Sequence, residues 1–343
     1  MNGEKSQAVE RPIRLADIAR MAGVSPKTVS RVVNRDPNVK AATRERIEAV
    51  IRDAGYQVNR AARSLAGTRS YLIGAFMPAM PSLYYAEIFR GAAKACHQFG
   101  YNLVVEEFDH EDGDLLERYE QGLRGARCDA LILTPPACDD ERLLAVLDRD
   151  GMPYVRIAPA KSIGQSAIVN ADDSLGVRQL VEHLWATGRR RYAVIGGPVD
   201  HAATIVREAC FAETLAEMGG KPSGIRIVRS DLRKSLSESG REATLQLLRD
   251  AEPPPDAIFA FNDEIAIGAM AAVREHGLTI PDDIAIAGFD DSYAAQLFWP
   301  PLTTIHQPIA DLAFHAVSII ANENIFDGNK IVLPTKLIVR ETA

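Results

Sequence analysis

Residues 14–34 read RLADIARMAGVSPKTVSRVVN, and this stretch predicts two short helices joined by a tight turn. Apolar side chains such as Ile18 recur at helical spacing, and Gly23 permits the positive φ that a sharp turn needs. Ser25 can then cap a second helix that has Pro26 at its first position. Two helices joined by a glycine-containing turn form a helix-turn-helix, whose second helix enters the major groove of DNA.

The second helix of this pattern is apolar on one side and polar on the other. Val29, Val32 and Val33 point inward, and a third helix over about residues 42–54 closes a small core. A plain three-helix bundle is the alternative, but the turn, the cap and the basic outer face all agree with DNA binding. Arg31 is the best candidate for a base contact because a guanidinium suits guanine. The predicted DNA-facing side chains of this region are Ser25, Lys27, Thr28, Ser30, Arg31 and Asn34.

Charge is divided unevenly along the chain. Residues 1–70 hold 14 Lys and Arg against 7 Asp and Glu, although the whole chain carries a net charge of −7. The remaining residues hold 25 of the 39 basic side chains and 39 of the 46 acidic ones. A small basic segment on a large acidic body predicts that the segment, and not the body, contacts a polyanion. A solvated basic tail has the same composition, so the helix-turn-helix decides between the two interpretations.

From Tyr71 onward, short β-rich runs alternate with helical stretches. The first runs are YLIGAF at 71–76 and YNLVV at 101–105, and a helix predicted over 85–99 lies between them. Strands that alternate with crossover helices are typical of parallel, doubly wound α/β sheets. About eight such units follow one another, which is too many for one compact sheet. The body is therefore predicted to have two similar lobes with a cleft between them.

Several classes of site are excluded by missing motifs. The sequence contains no phosphate-binding loop, no nucleophile elbow and no metal-binding helix motif. The seven histidines are scattered and the four cysteines form no C-x-x-C pair, so we expect reduced, mostly buried thiols. We expect no catalytic residue, no metal and no cofactor. No apolar run reaches the roughly 18 residues of a membrane helix, and the first residues show no secretion signal. The expected location is the cytoplasm, with no membrane partner.

Polar and aromatic side chains follow several of the predicted strands. In open parallel sheets, ligands bind at the carboxyl ends of the strands. Asp290 can accept hydrogen bonds from adjacent hydroxyls there, and Arg207 can donate in fork geometry to oxygens of the same ring. A tyrosine ring can cover the apolar face of a sugar, so the set suits a polyhydroxylated ligand. The side chains at these strand ends are Tyr84, Tyr85, Arg207, Asn262, Asp263, Asp290 and Asp291.

Some of these side chains also fit structural roles. Asp263 fits the cap of a helix that begins at Glu264, and this is the favoured interpretation of that residue. Asp290 fits a turn position. Spacing does not decide whether Tyr84 or Tyr85 faces the cleft, and either tyrosine fits a core position.

The basic head resembles a known family. LADIARMAGVSPKTVSRVVN at 15–34 resembles the helix-turn-helix of the lactose-repressor/purine-repressor family nearly residue by residue. The segment YQVNRAARSLAG at 56–67 resembles the hinge of that family, which becomes helical on operator DNA and inserts a leucine into the minor groove. Leu65 matches that leucine, and such a wedge unstacks a base step. The family usually has proline where this chain has Val58. The resemblance adds Asn59, Arg60, Arg63 and Leu65 to the predicted DNA contacts.

The body resembles the sensor domain of the same family, which is similar in fold to periplasmic sugar-binding proteins. Matching stretches include YYAEIFRGAAKACHQFGYNLVV at 84–105 and PPLTTIHQP at 300–308. Arg207 matches the effector-binding arginine of an R-x-x-G-F motif, in which Cys210 replaces the glycine and Phe211 keeps the aromatic ring. Together with the strand-end residues, this gives as predicted effector contacts Tyr84, Tyr85, Arg207, Phe211, Asn262 and Asp290.

The resemblance also implies a domain organisation. By analogy, the chain crosses between the lobes three times, near 169–171, 297–300 and 331–334. The predicted domains are a disordered tail at 1–12, a helix-turn-helix domain at 13–57, a hinge helix and linker at 58–70, and an effector-binding domain at 71–343. Within that domain, the predicted lobes comprise residues 71–169 with 300–331, and residues 170–297 with 334–343.

These features predict a sequence-specific transcriptional regulator, by resemblance a repressor, that binds pseudo-palindromic double-stranded operator DNA as a homodimer. A small-molecule effector between the lobes would control its affinity for the operator. A sugar or sugar derivative is the first choice, and a purine or another small metabolite stays open. A solute-binding protein of this fold would need export, and a sugar-modifying enzyme would need a catalytic pair, and the sequence indicates neither. The sign of the regulation and a tetrameric assembly are also open.

Overall fold

The computed structural model describes residues 13–33, 36, 38–56, 69–79, 82–109, 115–161, 166–199, 201–231, 234–250, 253–323 and 328–343. The chain divides into two compact units, residues 1–70 and 71–343. The predicted tail and residues 57–68, which include most of the predicted hinge, lie outside the described residues.

In its described residues, the first unit contains three helices that share one small core. Its helices are α1 (Leu15–Met21), α2 (Pro26–Val33) and α3 (Ala41–Asp53). Gly23 has a φ of +62° in the turn between α1 and α2, and the Ser25 hydroxyl accepts a hydrogen bond from the Thr28 amide at 3.1 Å, as a helix cap does. Ile18 and Ile47 are fully buried in the shared core. The predicted helix-turn-helix is confirmed.

The second unit contains two sheets that are almost entirely parallel. Its strands are β1 (Leu72–Pro78), β2 (Asn102–Phe108), β3 (Ala130–Leu133), β4 (Tyr154–Ile157), β5 (Ala167–Asp172), β6 (Tyr192–Gly196), β7 (Arg226–Arg229), β8 (Ala257–Ala260), β9 (Ala285–Asp290), β10 (Thr303–His306), β11 (Lys330–Pro334) and β12 (Lys336–Ile338). They form two six-stranded sheets, with the orders β11-β5-β4-β3-β1-β2 and β12-β10-β9-β8-β6-β7. The β10–β12 pair is antiparallel. We call the two sheets with their helices lobe 1 and lobe 2; the predicted two-lobed α/β class is confirmed.

Helices cover both faces of each sheet. They are α4 (Leu83–Phe99), α5 (Leu115–Arg118), α6 (Glu141–Asp150), α7 (Asp173–Ala186), α8 (Ala202–Glu217), α9 (Leu236–Asp250), α10 (Asp263–Glu275), α11 (Tyr293–Leu297) and α12 (Ile309–Ala321). In lobe 1, α4 and α12 share one core and α5 and α6 another. In lobe 2, α9 and α10 lie on one face and α7 and α8 on the other. A Cβ on Gly91 would lie 2.1 Å from the Ala310 carbonyl oxygen, so α4 and α12 can approach this closely only through glycine.

The second crossing between the lobes corrects the predicted boundary. Residues 300–331 were assigned to lobe 1, but β10 pairs with β9 in the lobe 2 sheet, and Ile305 is fully buried in the lobe 2 core. The chain crosses only at 307–308, after which α12 packs on lobe 1. The physical reason is that the backbone of β10 pairs with β9, while the side chain of Ile305 packs in the lobe 2 core. The other two crossings lie at 172–173 and at Thr335, where β5 and β11 end.

Candidate functional site

A cavity lies between the two lobes at the carboxyl ends of their strands. Its volume is about 170 Å³. This is below the range of roughly 300–1,000 Å³ that is usual for drug-sized ligands, so it suits a molecule of about one ring. Lobe 1 contributes Ser82, Tyr84, Tyr85, Pro135, Ala158, Pro159, Asn170 and Ala171 to the lining, and lobe 2 contributes Asp173, His201, Ala202, Ala203, Val206, Arg207, Leu236, Phe261, Asn262 and Asp290.

Arg207 is fixed in the lobe 2 wall by two hydrogen bonds and by contacts with aromatic rings. Its Nε donates to Asp173 Oδ2 at 2.7 Å, and its Nη1 donates to the Phe261 carbonyl oxygen at 2.7 Å. The guanidinium carbon lies 3.4 Å from the centre of the Phe289 ring, a cation–π contact. Within the described part of the chain, Nη2 has no hydrogen-bond acceptor. The side chain is therefore held rigidly while some of its donors remain available to a ligand.

Asp290 is the last residue of β9 and has a strained backbone, with a φ of 108°. Strained residues of this kind cluster at binding sites. Its carboxyl group accepts no hydrogen bond from the described residues. Burial raises the pKa of Asp290 well above its ordinary value, and the nearby carboxylates of Asp263 and Asp173 add to this, while Arg207 opposes it. A ligand hydroxyl would thus supply a partner that this half-buried carboxyl lacks.

Asn262 and Asp263, the two polar residues that follow β8, have structural roles that differ from the predicted ones. Asn262 is the helix cap, because its Oδ1 accepts from the Ile265 amide at 2.9 Å. Asp263, predicted as the cap, instead lies in the first turn of α10 and accepts from the Ser292 amide at 2.6 Å and from the Thr304 hydroxyl. Burial raises the pKa of Asp263 to about 7. Asp263 therefore ties the loop after β9 to the sheet, and Asn262 lines the cavity.

The two tyrosines of lobe 1 both line the cavity, and their hydroxyls differ. Ser82 caps α4 by accepting from the Tyr84 amide at 3.3 Å, and the two rings meet edge to face with centres 5.3 Å apart. The Tyr85 hydroxyl donates to the Pro135 carbonyl oxygen. The Tyr84 hydroxyl makes no hydrogen bond to any residue in the described ranges. Burial raises the pKa of both phenols, so Tyr84 presents a neutral hydroxyl for which a ligand is the available partner.

Phe211 lies in the core of lobe 2 and not in the cavity lining, which corrects its assignment as an effector contact. Its ring stacks on Phe259 with centres 5.8 Å apart and meets Tyr192 at 5.7 Å. One helical turn separates it from Arg207, so both face inward, but Phe211 lies deeper against the sheet. Cys210 is buried beside it, and its thiol lies 3.3 Å from the Ser174 carbonyl oxygen.

Sequence reasoning missed four cavity residues that have clear roles. Asp173 is the ion-pair partner of Arg207, and Phe261 supplies a carbonyl to that arginine and a ring to the lining. His201 caps α8 by accepting from the Ala203 amide at 3.3 Å. The Asn170 Oδ1 is buried and has no partner in the part of the chain that the structure describes. The D-D pair at 172–173, next to the predicted first crossing, was the one available signal for Asp173.

The described part of the chain also bears on metal sites, membrane-spanning helices and the pairing of cysteines. No three His, Cys, Asp or Glu side chains in it come together in an arrangement that could hold a metal ion. No helix in it is long and apolar enough to cross a membrane. All four cysteines are buried and unpaired, and burial raises the pKa of Cys96 to about 12 and that of Cys128 to about 11.

The predicted DNA-facing residues of α2 lie on one surface. Lys27 and Arg31 are exposed, and Thr28 and Ser30 are half-buried. Arg31 Nε donates to Asp36 Oδ2 at 2.7 Å, and this bond lowers the pKa of Asp36 to about 2. The predicted contacts that lie outside the described residues are Asn34, Asn59, Arg60, Arg63 and Leu65.

Comparisons with known proteins cover both units. The family model "Bacterial regulatory proteins, lacI family" matches residues 14–59, and the model "Periplasmic binding protein-like domain" matches residues 181–343. Catabolite control protein A of Priestia megaterium is 30% identical over 337 residues, which cover 96% of this chain and 99% of that protein.

Two solved structures are similar over nearly the full length. The lac repressor dimer bound to operator and the anti-inducer ONPF has a TM-score of 0.73 and 30% identity, covering 97% of this chain and 99% of that one. The complex of the transcriptional regulator CelR with cellobiose has a TM-score of 0.71 and 30% identity, covering 97% and 100%. The chain therefore belongs to the lacI family of bacterial regulatory proteins.

Proposed function

We propose that the chain is a transcriptional regulator whose affinity for operator DNA changes when a monosaccharide, or a monosaccharide derivative, binds between its lobes. The helix-turn-helix supplies the DNA-binding surface. The observation that carries the effector site is the cavity that joins both lobes around Arg207 and Asp290. Because a ligand there contacts both lobes, it binds one arrangement of the lobes better than another, which is the requirement for allosteric control.

The chemistry of the lining favours a sugar. The Oδ1 of Asn170 is a buried acceptor without a partner in the described residues, and the half-buried carboxyl of Asp290 accepts no hydrogen bond from them, so both suit a ligand with several hydroxyl donors. Arg207 adds a donor for ring or hydroxyl oxygens, and the tyrosine rings offer an apolar face. The CelR structure with cellobiose shows that this architecture accommodates a carbohydrate in a relative. The volume of about 170 Å³ favours one sugar ring here.

The proposed contacts combine the prediction with the observed lining. The proposed effector contacts are Tyr84, Tyr85, Asn170, Asp173, Arg207, Phe261, Asn262 and Asp290. The proposed DNA contacts remain Ser25, Lys27, Thr28, Ser30, Arg31, Asn34, Asn59, Arg60, Arg63 and Leu65. We retain domain boundaries at 13–57, 58–70 and 71–343, with the lobe crossings moved to 172–173, 307–308 and 335.

An exposed apolar strip in lobe 2 supports a homodimer. Tyr293, Leu297 and Trp299 are 74%, 62% and 71% exposed, and they lie on and just after α11. A contiguous apolar strip of this kind marks an interface, and a second copy of the chain fits because a two-fold dimer matches a pseudo-palindromic operator. The similar lac repressor structure is a dimer on its operator. Leu297→Asp should shift the protein toward monomer in analytical ultracentrifugation, and an unchanged dimer would place the interface elsewhere.

The decisive experiment is the selection of bound fragments from genomic DNA by the purified full-length protein, followed by titration of a sugar panel. We expect a pseudo-palindromic site near genes of sugar uptake or breakdown, and one sugar that changes the affinity for that site. Asp290→Ala should bind the same site and no longer respond to the sugar. Leu65→Ser should lose more affinity for the selected site than for random DNA. Equal binding to all fragments, with and without the sugar panel, would contradict the proposal.

We also propose that the protein binds its sugar without transforming it. Its relatives are transcriptional regulators, and the carboxyls that line the cavity have assigned partners or a ligand-binding role. Incubation of the protein with the sugar that changes DNA affinity should leave that sugar intact on chromatography. Catalytic turnover would instead assign enzymatic chemistry to Asp290.

A further inference from the structure

A second cavity, of about 390 Å³, lies at the opposite end of lobe 2 from the cleft. Its lining includes Tyr192 at the start of β6, Arg226 at the start of β7 and Pro255 just before β8. It therefore lies at the amino ends of the strands, whereas the site between the lobes lies at their carboxyl ends. We call it the basic cavity, because Arg190, Arg191, Lys221 and Arg226 line it.

The arginines of the basic cavity are held mainly by carbonyl oxygens, which leave their charge uncompensated. The Arg190 guanidinium lies 3.8 Å from the centre of the Trp185 ring and donates to the Trp185 carbonyl oxygen at 2.8 Å. Arg226 Nη1 donates to the Pro253 carbonyl oxygen at 3.2 Å. Such bonds fix the orientation of a guanidinium without neutralising its charge, so the remaining N–H donors of these arginines can bind an anion.

In the part of the chain that the structure describes, one carboxylate forms an ion pair with one of these four cations. Asp256 Oδ2 lies 3.4 Å from Arg191 Nη1, and Asp256 also accepts from two backbone amides. Lys221 is exposed and has no ion-pair partner in the described ranges. The local charge is thus strongly positive on a body that carries more acidic than basic side chains. An isolated positive cavity of this kind attracts small anions against the general field of the body.

We propose that the basic cavity binds a phosphomonoester dianion, as a second ligand at a place separate from the sugar site. Three unneutralised cations match a dianion better than a single carboxylate, because guanidinium and phosphate oxygens pair in bidentate geometry. The volume and the apolar wall of Tyr192, Leu215 and Pro255 leave room for an organic group on the phosphate. A sugar phosphate, a nucleoside monophosphate and free phosphate all share this chemistry.

One helix connects the basic cavity to the sugar site. Arg207 lies near the start of α8 and Leu215 near its end, a separation of about 12 Å at 1.5 Å per residue. The ring of Tyr192 contacts Phe211 on the same helix at 5.7 Å. A ligand that shifts α8 at one end therefore acts on the Arg207 side chain at the other, so the phosphomonoester changes the affinity for the sugar.

Calorimetry on the full-length protein at constant ionic strength tests this site, with inorganic phosphate, a hexose monophosphate and adenosine 5′-monophosphate as probes. Lys221→Ala/Arg226→Ala should weaken binding by about tenfold or more, since each removes a charged hydrogen bond. Lys221→Ala alone changes an exposed side chain and gives a smaller loss in the same direction. The matched control is Lys234→Ala/Arg241→Ala, which removes the same charge from ion pairs on the lobe 2 surface and should leave the affinity unchanged.

Comparing the affinities for the three probes distinguishes free phosphate from an organic phosphate as the ligand. Equal affinity for inorganic phosphate and for the esters identifies free phosphate, and tighter binding of one ester identifies an organic phosphate. The proposal is overturned if none of the probes binds saturably, or if the test and control variants bind equally. It is also overturned if a random DNA duplex displaces the probes, because the cavity would then belong to a nucleic-acid surface. Sugar affinity measured with and without the bound probe reports the coupling.

Discussion

The two walls of the sugar cavity differ in the chemistry that they present. Lobe 2 supplies an ion pair between Arg207 and Asp173 and the buried carboxyl of Asp290. Lobe 1 supplies uncharged groups, chiefly the Tyr84 hydroxyl and the Asn170 amide. Arg207 and Asp173 are held in place by contacts within lobe 2. Lobe 2 is therefore preorganised to bind the effector, and lobe 1 completes the hydrogen bonds when the cleft closes.

The lobes also touch beside the cavity through Glu264. Its Oε2 accepts from the Leu83 amide at 3.1 Å and lies 3.4 Å from the Ser82 hydroxyl, which joins α10 of lobe 2 to the cap of α4 in lobe 1. Burial raises the pKa of Glu264, and these two bonds oppose the rise. This contact joins the two lobes beside the cavity. In this arrangement, the Tyr84 hydroxyl and the Asn170 amide of lobe 1 line the same cavity as Arg207 of lobe 2.

The largest expected effect is on the free energy of unfolding, which depends on pH because the carboxyl of Asp263 is buried in lobe 2. The folded state keeps a proton on Asp263 up to a pH of about 7, whereas the unfolded chain releases it above its ordinary value near 3.8. Stability therefore falls as pH rises from about 4 to about 7, by at most ~1.4 kcal/mol per pH unit from this group. Asp263→Asn should flatten this slope in urea unfolding followed across that range. Parallel slopes for both proteins would show that Asp263 is ionised when folded.

The next effect is on the affinity for the sugar, which we expect to depend on Arg207 in the lobe 2 wall. Arg207→Ala should weaken sugar binding by about 100-fold, or ~2.7 kcal/mol, because it removes charged donors and leaves Asp173 without its partner. Arg207→Lys keeps the positive charge but loses the bidentate donor geometry, so its affinity for the sugar should lie between those of the parent and Arg207→Ala. Calorimetry measures all three proteins, and thermal unfolding checks that the variants are folded. A loss below threefold in Arg207→Ala would mean that lobe 2 is not the recognising wall.

The pH dependence of binding sharpens the role of Asp290. Its pKa is raised by burial, and the ionised carboxylate is the stronger acceptor for sugar hydroxyls. Affinity of the parent should therefore rise with pH until the carboxyl is fully ionised. Asp290→Asn should bind more weakly at high pH and show a flat profile. If both proteins gave the same rising profile, another group would be responsible.

The smallest effect compares the two tyrosines of lobe 1. Tyr84→Phe should weaken sugar binding about fivefold, or ~1 kcal/mol, because it removes a hydroxyl that is free to contact the ligand. Tyr85→Phe should leave the affinity within about twofold, since that hydroxyl is already bonded to Pro135, and should instead lower the unfolding free energy by ~1 kcal/mol. The reverse order would exchange the proposed roles of the two residues.

The sequence was informative where strand ends determine position. Arg207, Asn262 and Asp290 were predicted as cavity residues because the carboxyl ends of parallel strands meet at one edge, and all three line the cavity. Asp173 was missed because a carboxylate at the start of a helix is indistinguishable in sequence from a cap. Phe211 was assigned to the site because it matches the aromatic residue of the family's R-x-x-G-F motif, and a motif match does not show how deep each side chain lies.

The error at residues 300–308 has a related cause. The boundary near 297–300 was implied by analogy with the family, and the residues of β10, TTIH, do not show which sheet they join; only the pairing with β9 decides. Periodicity describes one element at a time, whereas lobe membership depends on contacts between distant segments. The same limit applies to Asn170, whose orphan oxygen becomes visible only when both lobes are in place.

The interleaved path of the chain has a consequence for its synthesis. Strands β11 and β12 complete opposite sheets, yet they are separated by Thr335 alone. During translation, β5 and β10 therefore keep an open hydrogen-bonding edge until residues 330–338 have left the ribosome. Open edges invite pairing with other chains. The nascent protein should depend on chaperones until then, and a ribosome that stalls before residue 330 should release a product prone to aggregation.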